Sequence, residues 1–337
     1  MFKVGVPTAY KGEIFVILDK KCDIYISSCD EDGGICHFKT DGNGGVVFKK
    51  MYRADRPMYL IKDGGKLYCL LREPFSDSEN SGLVSYDISG GGSLENPSEP
   101  ITTHGKVACH LCSADGSIYC VNYVSGSVVK MPDTVDVHSG CGTHPTRQEA
   151  AHTHFVTPSP DGKYIFATDL GIDKIFVYDK DLKKVSDVKM PDGCGPRHLA
   201  FHPDGEHVFC VNELDSTVSC LKYSFGSLEY LSSTQTLPNG FTAKNTAAAI
   251  RYANGKVYVS HRGYDKVVVL GFDGERLTVE NEYSAYGKAP RDMWTDGKTI
   301  ICTNQDSDNI TFVSAESGEL LYDFKAKCPI SVIVSES

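Results

Sequence analysis

The sequence lacks the features that mark a membrane-spanning, exported or nucleic-acid-binding protein. Its 337 residues contain no uninterrupted apolar run of about 18, the length at which a spanning helix is expected. The opening segment MFKVGVP has neither a long apolar core nor a small-residue cleavage site, so no signal peptide is expected. Lys and Arg number 34 against 44 Asp and Glu, and a net charge of −10 without a basic stripe disfavours a nucleic-acid partner.

Tryptophan is nearly absent, whereas cysteine is frequent. The one tryptophan, Trp294, is expected to pack between structural repeats, and there are 13 cysteines. An odd number of cysteines in a large chain without an export signal favours reduced thiols and a cytoplasmic location. Cys109 and Cys112 flank His110 with a spacing that suggests a metal site, but no second pair follows, so we expect structural cysteines.

Long runs with helical periodicity are also missing, and a short turn motif recurs instead. Each copy has Asp or Asn followed by Gly, then an apolar run containing Tyr or Phe, then a polar residue. Clear copies begin at Asp115, Asp161, Asp204, Asn254 and Asp296, and weaker copies begin at Gly64 and Asp19. Intervals of roughly 40 to 50 residues, each holding about four short strands, are typical of a propeller.

The sequence therefore predicts an all-β protein, a seven-bladed β-propeller with four-stranded antiparallel blades, as a single domain over residues 1–337. A pair of β-sandwiches is the alternative. Ring closure stays open, because residues 13–18 and residues 329–334 both resemble the first strand of a unit. Residues 72–82 and 132–151 are rich in turn-forming residues and are predicted to form long loops.

Aligning the repeats on their turns defines two sets of equivalent positions. The strand-start positions, where the innermost strand of a unit begins, hold His154, Arg197 and, if one turn is shorter, Arg291. The strand-exit positions, which follow the polar residue ending the second strand, hold Glu73, Tyr123, Leu170, Glu213, Arg262 and Gln305. We expect both sets on one rim near the central channel, so that His154, Arg197, Glu213 and Arg262 meet from three consecutive blades.

Such a cluster suits a small anionic substrate. Arginine binds carboxylate or phosphate with bidentate geometry, and a carboxylate beside a histidine can move protons near neutral pH. A local cationic funnel can dominate inside a cleft of an acidic protein. The alternative is that these side chains only cap strands, which is less expected for four residues at matching positions than for one.

Several long motifs resemble a known family. They are HSGCGTHPTRQEAAHTH (138–154), SPDG (159–162), DLGID (169–173), GPRHLAFHP (195–203), VNELDSTV (211–218), HRG (261–263) and NQDSD (304–308). Together they resemble the seven-bladed lactonase family, which includes the propeller-type 6-phosphogluconolactonases and is related to fungal muconate cycloisomerases. The resemblance is strong over residues 109–313 and weaker before them, where Arg72 replaces the usual Asn.

The resemblance implies a cytosolic lactone hydrolase without a cofactor or a metal, whose catalytic residues fall on His154, Arg197, Glu213 and Arg262. The two arginines would hold the substrate anion and stabilise the oxyanion formed when water attacks the lactone carbonyl. Either Glu213 or His154 would act as the general base, a choice that stays open. The expected substrate contacts are His152, Arg147, Gln148, Arg291 and Gln305.

The expected partner is a small anionic lactone, with no nucleic acid, no membrane and a monomeric protein. Two alternatives remain open. One is another sugar-acid or muconate-type lactone hydrolase or cyclase, and the other is a non-catalytic propeller that serves as a binding module. The absence of recurring Trp-Asp dipeptides disfavours a common interaction propeller.

Overall fold

Short apolar strands joined by Gly-containing turns form seven antiparallel sheets arranged around an axial channel. The computed structural model describes residues 20–336, which contain no α-helix and a single 3-10 turn, Gln305–Ser307. The strands are β1 Cys22–Ser28, β2 Gly34–Thr40, β3 Val46–Arg53, β4 Pro57–Asp63, β5 Lys66–Leu71, β6 Gly82–Ile88, β7 Leu94–Glu95, β8 Ile101–Thr102, β9 Ala108–Ala114, β10 Ser117–Asn122, β11 Ser127–Lys130, β12 Thr134–Val137, β13 Thr153–Pro158, β14 Ile165–Asp169, β15 Lys174–Tyr178, β16 Lys184–Lys189, β17 Pro196–Phe201, β18 His207–Asn212, β19 Thr217–Ser224, β20 Ser227–Gln235, β21 Thr246–Ala253, β22 Lys256–Arg262, β23 Lys266–Phe272, β24 Leu277–Ser284, β25 Pro290–Thr295, β26 Thr299–Asn304, β27 Asn309–Ser314, β28 Leu320–Lys325 and β29 Pro329–Glu336.

The seven-bladed, four-stranded propeller predicted from the repeats is confirmed. Blade 1 has the strand order β29-β1-β2-β3, and blade 2 has β4-β5-β6-β7 with β8 added on β6. Blades 3 to 7 each use four consecutive strands, from β9 to β12 through β25 to β28. The innermost strand of blade 1 is β29. In each of blades 2 to 7 the innermost strand is the first one of that blade in chain order.

The ring closes through the C-terminal strand. β29 pairs antiparallel with β1 in a register that places Val332 opposite Ile26, so residues 329–334 complete blade 1 as one of the two expected options. The other option, residues 13–18, lies outside the described residues. The loop predicted over residues 132–151 is partly wrong, because it begins with β12, whose backbone finds a ladder partner in β11.

Hydrophobic packing lies mainly between blades, which explains the strand patterns. Inner strands such as β14 and β18 are buried on both faces and carry near-continuous apolar sequence. Outer strands such as β16 and β20 alternate partly buried and exposed residues because one face meets solvent. Trp294 packs against the cluster shared by blades 7 and 1, as predicted.

Each innermost strand is irregular at the same point, close to its start. The pairing with the second strand skips a residue there, as in a β-bulge, and re-aims its side chain. In six blades the skipped residues are Met58, Cys109, His154, Arg197, Arg291 and Ile330, and in blade 6 both Ala248 and Ala249 are skipped. In those six blades the bulge therefore turns one side chain out of the alternating pattern of the ladder.

In five blades, the residue two positions before the bulge has a left-handed backbone conformation. These residues are Arg56, Val107, Gly195, Ala289 and Cys328. Each of their carbonyls accepts a hydrogen bond from the backbone N–H of the residue that leaves the second strand of the same blade. This repeated bond holds the strand-start and strand-exit positions of a blade side by side.

Candidate active site

The two sets of positions meet at one mouth of the axial channel, around a cavity of about 330 Å³. The wall includes the bulged residues Met58, Cys109, His154, Arg291 and Ile330. It also includes the strand-exit residues Cys29, Arg72, Tyr123, Glu213, Arg262 and Gln305. Arg147, Val107 and Cys328 complete the wall.

In two blades the strand-exit residue differs from the expectation. In blade 2, Arg72 lines the cavity instead of Glu73, because β5 ends at Leu71 and the exit position comes one residue earlier. Glu73 instead accepts a bond from Arg56 at 3.1 Å. In blade 4, Leu170 is fully buried and absent from the cavity wall, and its carbonyl accepts a bond from the side chain of Gln148.

The centre of the site is the carboxylate of Glu213, which is 2% exposed and contacts three arginines. Its Oε2 lies 3.0 Å from Arg197 Nε and 2.8 Å from an Arg262 guanidinium nitrogen, and its Oε1 lies 2.5 Å from Arg147. Burial alone would raise the pKa of Glu213. The arginines outweigh burial, with Arg262 the strongest, and hold that pKa well below its usual range. Glu213 is therefore an anion and a weak base.

Arg197 lies behind Glu213 and outside the cavity wall. Its guanidinium donates to the carbonyl of Ala248 at 2.8 Å and contacts His198 Nδ1 at 3.1 Å. Burial, followed by repulsion from Arg262, lowers the pKa of Arg197 to about 9, which keeps it cationic at neutral pH. The structure thus places this predicted catalytic residue where it fixes Glu213 and where the carboxylate separates it from a ligand.

His154 presents an imidazole to the cavity, with Nε2 3.9 Å from Glu213 Oε2. The ring of Tyr123 packs edge-on against it at 5.5 Å. Burial, followed by the charge of Arg197, lowers the pKa of His154 well below its usual range. The ring is neutral near pH 7 and can accept a proton, and the adjacent carboxylate would stabilise the resulting imidazolium.

Arg147 reaches the site from the loop that precedes β13. One of its nitrogens donates both to Glu213 and to the hydroxyl of Tyr123, the latter at 3.2 Å. Gln148, expected to touch substrate, is buried, and all its polar atoms bond within the protein, accepting from two loop N–H groups and donating to Leu170 and Asp173. Gln148 therefore holds the loop that presents Arg147.

His152 is likewise outside the cavity wall. Its ring stacks on Tyr123 at 4.5 Å with an interplanar angle of 7°, and its nitrogens contact the Tyr123 carbonyl and Glu149. The structure brings His152 to the back of a lining residue, two residues from the bulge that turns His154 inward. The bulge at His154 breaks the alternation of side chains along the strand, so His152 and His154 do not enter the cavity together.

Arg291 and Gln305 line the cavity as expected and lie next to each other, with the guanidinium donating to Gln305 Oε1 at 3.5 Å. Among residues 20–336, no carboxylate lies within 4.0 Å of Arg291. Four arginines line the cavity against the one carboxylate of Glu213. The site thus carries an excess of positive charge in a protein whose net charge is −10.

Sequence reasoning did not place Tyr123, Arg72 and Cys109 among the site residues. Tyr123 was already in the strand-exit set, and its position was the signal that could have identified it. Arg72 was displaced by a one-residue error in the end of β5. Cys109 is the bulged residue of blade 3, and a bulge has no signature in a single sequence.

Comparisons with known proteins agree with this fold. A family model described as a lactonase, 7-bladed beta-propeller, matches residues 23–334. An uncharacterized protein of Staphylococcus epidermidis is 29% identical over 301 residues, which cover 82% of this chain and 86% of the relative.

Two solved structures are also similar. A protein from Lactobacillus plantarum has 27% identity and a TM-score of 0.84, covering 94% of this chain and 100% of that one. The periplasmic gluconolactonase of Pseudomonas aeruginosa has 26% identity and a TM-score of 0.84 over the same shares of both chains. Within residues 20–336, no helix has the length and apolar character needed to cross a membrane.

Proposed function

The chain belongs to the family of seven-bladed β-propeller lactonases, and we propose that it hydrolyses the lactone of a phosphorylated sugar acid, of the 6-phosphogluconolactone type. The observation that carries the proposal is the excess of arginine in the cavity. Glu213 neutralises part of this charge, and Arg291 has no carboxylate partner among the described residues. A dianionic phosphate is the ligand group that this imbalance favours.

The phosphate would bind at the side of the cavity formed by Arg291, Gln305 and Arg72. Arg291 offers a planar guanidinium that no protein carboxylate occupies, and Gln305 steadies it through a hydrogen bond. Arg72 is about half exposed, and its distance of 3.7 Å to Glu73 is long for an ion pair. Its side chain can therefore turn towards the anion. The lactone ring would then extend towards Glu213 and His154.

His154 is the better of the two candidate bases. Three arginines suppress the basicity of Glu213, whereas His154 is neutral and reaches the cavity with Nε2. A water molecule held between His154 and Glu213 would lose a proton to His154 while its oxygen attacks the lactone carbonyl carbon. The tetrahedral intermediate would then break the ring C–O bond, and His154 would return the proton to the departing alkoxide.

Arg262 would stabilise the oxyanion of the intermediate. One of its terminal nitrogens is engaged by Glu213, while its buried Nε finds no acceptor among the described residues. A buried donor without a partner is costly, and a developing negative charge would satisfy it. Arg197 and Arg147 would keep Glu213 ionised and in position, as positioning residues.

The test is the hydrolysis rate of freshly generated 6-phosphogluconolactone beside gluconolactone, each corrected for spontaneous opening. We expect the phosphorylated lactone to be preferred by wild type and the preference to be lost in Arg291→Gln. Equal rates with both lactones would favour the second candidate, an unphosphorylated aldonolactone, since the similar Pseudomonas aeruginosa protein is a gluconolactonase. No acceleration of either would favour another lactone, including a muconate-type one, or a non-catalytic binding module.

We also propose that the protein acts as a monomer in the cytoplasm without a cofactor or a catalytic metal. All 13 cysteines are free, and most are buried among apolar residues, which suits a reducing compartment. The proposed steps use only side chains of the cavity. Thiol trapping in intact cells, the elution volume of the purified protein and turnover after treatment with a chelator test these three points.

A further inference from the structure

Two histidines and an aspartate converge at the turn between β17 and β18, at the end of blade 5 opposite to the candidate active site. His202 Nδ1 lies 2.9 Å and His207 Nδ1 lies 2.7 Å from the same oxygen, Asp204 Oδ2. One ligand atom from each of the three residues lies within 4.8 Å of the others. We propose that this turn binds one Zn²⁺ ion through His202, Asp204 and His207.

The donor set is the one that zinc prefers. Two imidazole nitrogens and one carboxylate oxygen, with a water in the fourth position, form a common open tetrahedral zinc site. Neighbouring ligand atoms in such a site are about 3.3 Å apart, so each imidazole nitrogen would have to move about half an ångström away from Asp204 Oδ2. The two nitrogens already lie within 4.8 Å of each other. Each ring would carry its proton on Nε2 and offer Nδ1 to the metal, and at His202 the metal would replace the backbone N–H of Asp204, which Nδ1 accepts at 3.3 Å.

The turn holds these ligands in place before any ion arrives. Asp204 Oδ1 accepts hydrogen bonds from the backbone N–H groups of Glu206 and His207 at 2.8 and 3.0 Å, which leaves Oδ2 facing the two rings. The His202 ring packs against Tyr252 and Phe272, and the His207 ring packs against Phe272. The rings are nearly perpendicular, at 85°, and both are partly exposed, so an ion can reach them.

Blade 4 contains the same turn without the histidines. Its sequence SPDGKY corresponds to HPDGEH in blade 5, so Ser159 and Tyr164 stand where His202 and His207 stand. Asp161 caps the blade 4 turn as Asp204 caps the blade 5 turn, and it accepts a bond from Ser159 at 2.6 Å. The fold of the turn therefore needs the aspartate and not the two histidines, which are specific to blade 5.

The inference does not depend on the lactonase proposal. The β17–β18 hairpin carries Arg197 near its other end and is followed by Glu213, so an ion at the turn would staple the hairpin without touching the cavity. We expect Zn²⁺ to raise the melting temperature and to leave lactone turnover unchanged.

The test is calorimetric titration of the chelator-treated full chain with zinc chloride. We expect one equivalent to bind, and we expect affinity to fall at least tenfold in the double variant His202→Ser/His207→Tyr. That variant recreates the turn of blade 4, so it should keep a native circular dichroism spectrum and a cooperative thermal transition. Cys141→Ser is the control, because Cys141 is the exposed thiol that could bind zinc elsewhere, and it should bind zinc as wild type does.

A second readout uses Cu²⁺ as a probe in electron paramagnetic resonance. Wild type should show superhyperfine splitting from two nitrogens, and the double variant should lose it. Equal zinc affinity in wild type and the double variant, or a copper spectrum without histidine nitrogens, would overturn the proposal.

Discussion

At one mouth of the axial channel three arginines contact the carboxylate of Glu213, whereas at the other mouth Arg251 is, among the described residues, the one arginine that pairs with Asp292. This second cavity, of about 390 Å³, is lined by the later parts of the innermost strands and includes Tyr59, His110 and Arg251. Arg251 lies 2.6 Å from the buried Asp292, which also accepts the backbone N–H of Val332 at 3.1 Å. There one cation and one anion form a matched pair that ties blades 6, 7 and 1 together.

The difference separates buried charge used for structure from buried charge held for a ligand. A matched pair satisfies itself and has little left to offer an anion. An unbalanced cluster keeps cations desolvated without enough counter-charge, which costs stability until an anionic ligand binds. The two mouths are built on the same seven strands, so the side chains at their ends and not the scaffold decide which mouth can be a site.

The largest expected effect is on turnover, from Glu213→Gln. Removing the carboxylate leaves three arginines without their shared anion and deprives His154 of the charge that would stabilise its protonated form. We expect kcat to fall at least a thousandfold, equivalent to about 4 kcal/mol. Steady-state kinetics on protein with a native circular dichroism spectrum measure this, and a folded variant with full turnover would remove Glu213 from the mechanism.

Asp292→Asn should have the opposite profile at the other mouth. It breaks a buried ion pair and weakens the contact to Val332, so we expect the free energy of unfolding to fall by about 3 kcal/mol. Denaturant titration gives the change, and kcat of the folded variant should stay within about twofold of wild type. A large loss of kcat with unchanged stability would show that the two mouths are not separate in function.

Arg291→Gln sharpens the same contrast with a single cation that has no carboxylate partner. We expect the KM for a phosphorylated lactone to rise about 10- to 100-fold, the effect of losing one charged hydrogen-bonding group. The free energy of unfolding should change by less than about 0.5 kcal/mol. Arg251→Gln is the matched control, and it should destabilise the fold and leave KM unchanged.

Between the two mouths lies a row of buried histidine rings, from His154 through His198 to His110, with centroids 5.3 and 5.4 Å apart. Burial lowers the pKa of all three, and burial also lowers the pKa of His261 to about 3. The unfolded chain binds a proton on each ring below about pH 6.5, and the folded protein does not. Stability should therefore fall with decreasing pH, by about 1.4 kcal/mol per ring and pH unit.

Urea titrations between pH 7.5 and pH 5 measure this slope, in a range above the titration of most carboxylates of the unfolded chain. Burial raises the pKa of Asp215 to about 6, so this carboxyl contributes to the slope with the opposite sign. His110→Phe removes one ring from the row, so its slope should be lower by about 1.4 kcal/mol per pH unit. An unchanged slope in this variant would mean that His110 titrates alike in the folded and unfolded chains.

The repeat pattern was sufficient to predict the fold and the rim, because a turn that recurs at near-constant spacing fixes which residues share a place in each blade. His154, Glu213, Arg262, Arg291 and Gln305 could be found in this way. How deeply each side chain lies in the site could not be predicted. Whether an arginine faces a cavity or lies behind a carboxylate depends on packing between blades. Arg197 and Arg291 are both bulged residues of innermost strands, yet only Arg291 faces the cavity.

Two further errors have local causes. Gln148 and its neighbour Arg147 lie in one loop, and composition does not show which of two adjacent polar side chains turns inwards. The choice between Arg72 and Glu73 depended on the last residue of β5, and strand ends are where pattern reasoning is least able to decide.

Ring closure by β29 has a consequence for the order of folding. Cys328 and Ile330, which belong to the cavity wall, are supplied by β29 and the turn before it. Without β29, β1 exposes an unpaired edge, and the mouth that holds Glu213 lacks one side. A variant that lacks β29 would therefore carry every arginine of the site and still have no closed pocket, so activity requires that this strand pairs with β1.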